Sequence, residues 1–232
     1  MDIINNLNPE QKKAVINING PVLIVAGAGA GKTRVITHRI AYLISKNIAP
    51  QNILAVTFTN KAANEMRERM VKLLTPQSST SDIRHPTSEI QSLYIGTFHS
   101  LGVRILRANG KHIDIPKNFS ILDEGDALKL IKESLVELNL DPKQWQPKKM
   151  KNLISKQKNL LNDLDKFANE AEGEYFLGTL ANIWRLYEDK LISHKALDFD
   201  DLIIKTVQLF KASPEVLEYY QAHSLKSNFD LS

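Results

Sequence analysis

The sequence contains no cysteine, which excludes disulfide cross-links and thiolate zinc sites and fits a reducing compartment. It also lacks any apolar run approaching the ~20 residues of a membrane span, and Met1-Asp2-Ile3 begins no charged-then-apolar leader. Charge of one sign is not in large excess. Thirty Lys and Arg against 26 Asp and Glu leave a formal +4, so polyanion binding depends on local clustering rather than on the total. These absences predict a soluble, cytoplasmic chain, and 232 residues can bury a core in one domain or two.

What the sequence does have is Pro21-Val22-Leu23-Ile24-Val25-Ala26-Gly27-Ala28-Gly29-Ala30-Gly31-Lys32-Thr33. Its short, unbroken apolar run predicts a strand buried on both faces. The small residues that follow let backbone N–H groups turn inward around a polyphosphate, and an amphipathic run from Arg34 to Ser45 predicts a helix whose N-terminus holds the anion. In this reading Ala26 through Thr33 bind nucleotide, Lys32 reaches the β- and γ-phosphates, and the Thr33 hydroxyl ligates Mg²⁺. Ala26 stands where the common pattern has Gly, and is small enough to keep the loop. The competing reading is a glycine-rich β-to-α turn with a chance Gly-Lys-Thr.

Ahead of this loop, Asn8 is placed as a helix N-cap, Pro9 as the first helical residue and Gln11 as the reciprocal member of a capping box. A carboxamide at Gln11 also matches the N6/N7 edge of adenine, and the residues alone leave both readings open. After the loop, Ile53 to Val56 predicts a second strand ending in Thr57-Phe58-Thr59-Asn60, followed by a helix from Ala62 to Leu74. Two β-loop-α units in succession predict a parallel α/β sheet with sites at the carboxyl ends of its strands. Phe58 then either stacks a base at that edge or closes the core. Thr75 to Glu89 reads as an exposed loop. Leu93-Tyr94-Ile95 restarts a strand that breaks at Gly96, and a helix begins at Thr97-Phe98-His99-Ser100. His99 has no second ligand at metal spacing and is expected to be a hydrogen-bonded histidine.

Leu-Asn-Pro-Glu-Gln, Ala-Gly-Ala-Gly-Ala-Gly-Lys-Thr-Arg, Thr-Phe-Thr-Asn-Lys-Ala-Ala and Gly-Thr-Phe-His-Ser occur here in order. Together they resemble the UvrD/Rep/PcrA family of superfamily 1 DNA helicases, from near the N-terminus to about Gln221. The resemblance implies an incomplete RecA-like P-loop NTPase sheet, domain 1A, carrying an all-α inserted domain, 1B. It implies that Gln11 reads adenine, that Arg34 lies against it, and that ATP with Mg²⁺ is the cofactor. It also implies that Thr57, Phe58, Thr59 and Asn60, then Thr97, Phe98 and His99, contact single-stranded DNA. Single strands and single-strand/duplex junctions are the implied partners, and DNA repair or replication the implied setting.

From Ala108 the pattern is helical. Phe119 to Glu124 mimics a Mg²⁺-binding strand, yet Asp123 precedes Leu128, Ile131, Leu135 and Leu138 at helical spacing and is read as an N-cap. Lys143 to Lys158 holds six lysines and no acid. Met150, Leu153 and Ile154 mark its buried face, leaving Lys148, Lys151 and Lys158 on an outward row, where they are either solvated or, by the resemblance, facing duplex phosphates. Trp184 and Tyr187 are expected in the core. Asp198, Asp200 and Asp201 are read as dipole-compensating residues at a helix start rather than as a metal site.

The resulting division is 1–107 for the first part of 1A, 108–195 for 1B, 196–221 for the return to 1A, and 222–232 for a tail unlike the family. By the resemblance, a strand ending in Asp-Glu-x-Gln-Asp should follow Gln221, and the given tail lacks it. The expectation is therefore the N-terminal portion of an ATP-dependent 3′-to-5′ helicase, inactive alone, with sheet edges and an apolar face uncovered. The alternatives are a non-hydrolysing module that binds nucleotide or single-stranded DNA, and a P-loop small-molecule kinase, which the DNA-contact motifs disfavour.

Overall fold

A computed structural model describes residues 3–74 and 91–224, which fall into two compact units: residues 3–74 and 91–98 with 217–224, and His99–Val216. The sequence expectation for Thr75 to Glu89 lies outside the described residues.

In the first unit, α1 (Pro9–Ile16) opens with the anticipated reciprocal cap. The Gln11 N–H donates to Asn8 Oδ1 at 2.8 Å, and the Asn8 N–H donates to Gln11 Oε1 at 3.2 Å. Helix α2 (Lys32–Ser45) packs on α1. The Arg39 guanidinium donates to the carbonyls of Ala14 and Asn17 and so closes the end of α1, at the cost of a burial that lowers its pKa. Strands β1 (Leu54–Thr57) and β2 (Tyr94–Thr97) pair in parallel, Leu54 opposite Tyr94 through Thr57 opposite Thr97, and α3 (Asn60–Leu74) packs across both. Ala55 and Ile95 point inward from the strands onto Ile40, Leu43, Ala63, Met66 and Met70, which form the core of this unit.

Two expectations are corrected here. Gly96 does not break β2, which continues through it to Thr97. More consequentially, Pro21 to Val25 is not a strand: residues 21–27 carry neither helix nor ladder, and Leu23 and Val25 are 89% and 88% exposed. A strand exists through the hydrogen bonds of a neighbour, and the described sheet, ordered β1-β2, has no third strand to supply them. The alternation survives without the ladder. Val22 and Ile24 line a cavity of about 250 Å³ with Ile36, Ile40, Ile53 and Met66, while Leu23 and Val25 face away.

The second unit is mostly helical: α4 (Phe98–Asn109), α5 (Glu124–Glu137), α6 (Pro147–Asn159), α7 (Leu164–Glu170), α8 (Tyr175–Ser193) and α9 (Phe199–Ala212). Helix α10 (Pro214–Ser224) follows, and the chain passes back to the first unit within it. Two-residue strands β3 (Ser120–Ile121) and β4 (Ala196–Leu197) pair in parallel. Asp123 caps α5, accepting the Asp126 N–H at 2.8 Å, so the carboxylate after β3 is engaged as a helix start, as anticipated. Leu130, Ile131, Leu135, Met150, Ile154, Leu180, Ile183, Trp184 and Tyr187 form the core, again as anticipated for the last two. Helices α4 and α9 meet at Gly102, where an added Cβ would lie 2.3 Å from the Leu202 carbonyl oxygen, so only glycine allows this approach.

Lys158 corrects a third expectation. It is not on an outward row but 5% exposed. Its ammonium donates to Glu188 Oε1 at 2.7 Å, Asp198 Oδ2 at 2.9 Å and Asp201 Oδ1 at 2.9 Å. Among the described residues no helix is long and apolar enough to cross a membrane.

Candidate nucleotide and nucleic-acid site

The glycine loop is built by two left-handed residues, Gly29 at φ +77° and Gly31 at φ +86°. A side chain at Gly31 would be strained by its φ and would also meet Gln11 Nε2 at 2.9 Å. Helix α2 starts directly after, at Lys32, and Gly31 provides no side-chain acceptor for its first N–H groups. Such an uncapped N-terminus has donors and a positive dipole end to offer an anion.

Around this end the side chains converge. The Lys32 ammonium is folded into its own loop and donates to the carbonyls of Ala26 at 2.8 Å and Gly27 at 2.7 Å. Gln11 Nε2 donates to the Ala30 carbonyl at 3.2 Å while Oε1 serves the α1 cap, so its carboxamide ties α1 to the loop. Arg34 Nη2 donates to the Asn6 carbonyl at 2.6 Å. Thr33, the second residue of α2, is half-buried. Ala28 lies in the turn that the Ala30 N–H closes onto the Gly27 carbonyl at 3.4 Å, within the run from Ala26 to Thr33.

Among the described residues the loop offers Mg²⁺ the hydroxyl of Thr33. Among the described residues no group of three or more His, Asp or Glu could hold a metal ion. A single threonine hydroxyl suits an ion that takes most of its shell from substrate phosphates and water, as Mg²⁺ commonly does.

At the carboxyl end of β1 the backbone turns into α3. Thr57 Oγ1 donates to the Thr59 carbonyl at 3.0 Å, and Thr59 Oγ1 accepts the Ala62 N–H at 3.1 Å, which caps the helix. Between these tied residues Phe58 is thrust outward and is 89% exposed, so it does not close the core. Its ring centroid lies 5.5 Å from that of Phe98, which follows the end of β2 and is 38% exposed. Asn60, the first residue of α3, is exposed, and Thr97 is buried opposite Thr57 in the ladder.

In the second unit His99 corrects another expectation. Among the described residues its ring makes no hydrogen bond; it lies against the ring of Phe199, centroids 4.3 Å apart. Phe199, 58% exposed at the start of α9, has no role assigned from the sequence because only the fold brings it to His99.

The same helix start carries the principal buried electrostatics of the unit. Asp198 and Asp201 form a capping box, the Asp201 N–H donating to Asp198 Oδ1 at 2.9 Å and the Asp198 N–H to Asp201 Oδ2 at 3.2 Å. The Tyr187 hydroxyl donates to Asp198 Oδ2 at 2.9 Å, and Trp184 Nε1 donates to Glu188 Oε1 at 3.1 Å. Burial alone would discharge Lys158, but Asp201, Glu188 and Asp198 outweigh it and hold the ammonium charged. Burial opposes the Asp198 charge, yet Lys158 and the surrounding donors keep its pKa below the usual value. Burial, with the charges of Asp198 and Glu188, pushes Asp201 up to about 7. Tyr187 is held protonated by burial and by Asp198.

Comparison with known proteins gives a consistent set of relatives. The UvrD/REP helicase N-terminal domain matches residues 7–225. The chain is 47% identical over 220 residues to the ATP-dependent DNA helicase PcrA of Bacillus subtilis (strain 168). It is 44% identical over 220 residues to the proteins of the same name from Staphylococcus aureus (strain Mu50 / ATCC 700699) and Staphylococcus epidermidis. Each alignment covers 94% of this chain but 28% of the relative, so the chain spans little more than a quarter of their length.

Proposed function

The chain belongs to the UvrD/REP helicase N-terminal domain family, and on that premise we propose that it is the nucleotide- and DNA-gripping first motor half of an ATP-dependent DNA helicase. We assign residues 1–107 and 196–221 to the motor domain, 108–195 to the helical insertion, and 222–232 to a tail outside both. The work belongs in the cytoplasm, on single-stranded DNA and its junctions with duplex, with 3′-to-5′ polarity.

The observation that carries this reading is the glycine loop, closed on its own lysine and opening onto an uncapped helix. An incoming polyphosphate takes the Lys32 ammonium from the Ala26 and Gly27 carbonyls and adds the first N–H groups of α2, exchanging two neutral acceptors for charged ones. Thr33 would hold Mg²⁺, which supplies charge neutralisation between the phosphates when bound. Gln11 and Arg34 would meet the adenine end; Gln11 Nε2 already donates to the loop at Ala30, and Arg34 to the Asn6 carbonyl before α1, which supports this reading. Phe58, with Phe98 beside it, offers an exposed ring to an unpaired base, and Thr57, Thr59, Asn60 and Thr97 of the same unit are the proposed contacts of the sugar–phosphate chain. His99 is proposed as a further DNA contact on the other unit.

Titration of a fluorescent ATP analogue with Mg²⁺ tests this directly. Lys32→Ala should abolish binding by the 232-residue chain without changing its circular dichroism. Equal affinity in the two proteins would overturn the assignment of residues 26–33.

A further inference from the structure

A second surface with nucleic-acid chemistry lies in the unit His99–Val216, on residues that the site above does not use. Trp145, just before α6, is 3% exposed, and the Phe176 ring lies flat on it with centroids 5.2 Å apart and planes 14° apart. Tyr175 meets the same indole edge-on at 6.2 Å. Above this buried support both rings are open to solvent, Tyr175 at 74% and Phe176 at 42%. Adjacent exposed aromatic rings, held rigid from beneath, present flat apolar faces of the kind that binding sites use.

The charge around them has one sign on the α6 side. The Lys149 ammonium lies 5.9 Å from the Phe176 ring centroid. Helix α6 also carries Lys148, Lys151 and Lys156 with no acidic residue, and Lys143 precedes it. Among the described residues none of Lys143, Lys148, Lys151 and Lys156 makes an ion pair, in contrast to Lys158, which is consumed inside. Exposed Glu172 and Glu174, next to Tyr175 in the chain, repel phosphate from their side.

We propose that this platform binds single-stranded nucleic acid, a base stacking on Tyr175 and Phe176 with its phosphates on Lys148 and Lys149. The pairing of features selects the ligand. Flat rings suit the face of an unpaired base, which a duplex keeps inside its stack, and free lysines suit the phosphates that accompany it; an acidic peptide would satisfy the lysines and leave the rings bare. The proposal deepens the DNA reading but stands on different residues from Phe58, so the two fail separately.

The test is photo-cross-linking of the full 232-residue chain to an oligo-dT carrying 5-iododeoxyuridine, with the adducts mapped by mass spectrometry. Adducts are expected on Tyr175 or Phe176, and these should persist in Phe58→Ala. In that background Tyr175→Ala should weaken the remaining affinity by roughly 5- to 150-fold. Replacing both Lys148 and Lys149 by Ala should flatten the slope of log affinity against log salt by about 1.4. Adducts at Phe58 with none at Tyr175 or Phe176 would overturn this proposal and leave the DNA reading intact. Displacement of the oligo-dT from Tyr175 by polyglutamate or length-matched duplex, as effectively as by unlabelled oligo-dT, would overturn the single-strand assignment. If Tyr175→Ala fails to fold, the adduct map of the unaltered chain decides.

Discussion

Phe58 stands at the carboxyl end of β1 with its ring centroid 5.5 Å from that of Phe98. Its neighbours Thr57 and Thr59 marked the end of a strand, but a phenylalanine there closes a core as readily as it meets a ligand, and only the resemblance separated the two. The structure places the ring at 89% exposure, so truncating it removes no core packing. Phe58→Ala should therefore keep the circular dichroism and urea midpoint of the parent while weakening single-strand binding by roughly 5- to 150-fold, the loss of about 1–3 kcal/mol of base stacking. Unchanged affinity would remove Phe58 from the binding face. Gln11 was more legible, because a capping box needs partners only three residues apart and both its hydrogen bonds form as the spacing requires. His99 was not, since the ring it touches lies 100 positions later in the chain and leaves no local trace.

At the scale of the element, α6 separates what periodicity can read from what it cannot. Met150 and Ile154 are buried as their spacing requires, but Lys158 is drawn inward by carboxylates that follow it by 30, 40 and 43 positions. Helical spacing carries no information about them. Removing the ammonium leaves the buried Asp198 and Asp201 and the half-buried Glu188 without a counter-charge, so Lys158→Met should cost about 3–5 kcal/mol of stability, readable by urea denaturation. A loss below 1 kcal/mol would show that the cluster is hydrated.

The cluster also sets a pH dependence. Asp201 sits at about 7 when folded, above its ordinary value, so its contribution is fully present below that ordinary value and is lost as pH rises through 7. Asp198 is shifted the other way, and its contribution is lost only in acid. Lys158 on α6, Tyr187 and Glu188 on α8, and the Asp198 cap of α9 all face Asp201 and are accounted for in that balance. Both tryptophans lie in this unit, and their fluorescence should give a higher urea midpoint at pH 6 than at pH 8. Asp201→Asn, which cannot ionise, should reduce that difference; an identical difference in parent and variant would remove Asp201 as its source.

For the molecule as a whole, the segment before the glycine loop makes the sharpest prediction. Its apolar run was legible, and Val22 and Ile24 do turn toward β1 and α2, but a strand also needs a neighbour, which no pattern within the run can supply. Leu23 and Val25 consequently stand almost fully exposed beside a two-stranded sheet. Open edges next to apolar side chains are templates for pairing with another chain. The isolated 232-residue chain should therefore self-associate, its weight-average mass by light scattering rising with concentration. Substituting Leu23→Lys and Val25→Lys together places two charges on the exposed row, leaves the inward Val22 and Ile24 in place, and should restore the monomer mass without loss of helicity. A chain that stays monomeric before any substitution, across concentrations up to the highest attainable, would mean that the exposed row is covered within the molecule.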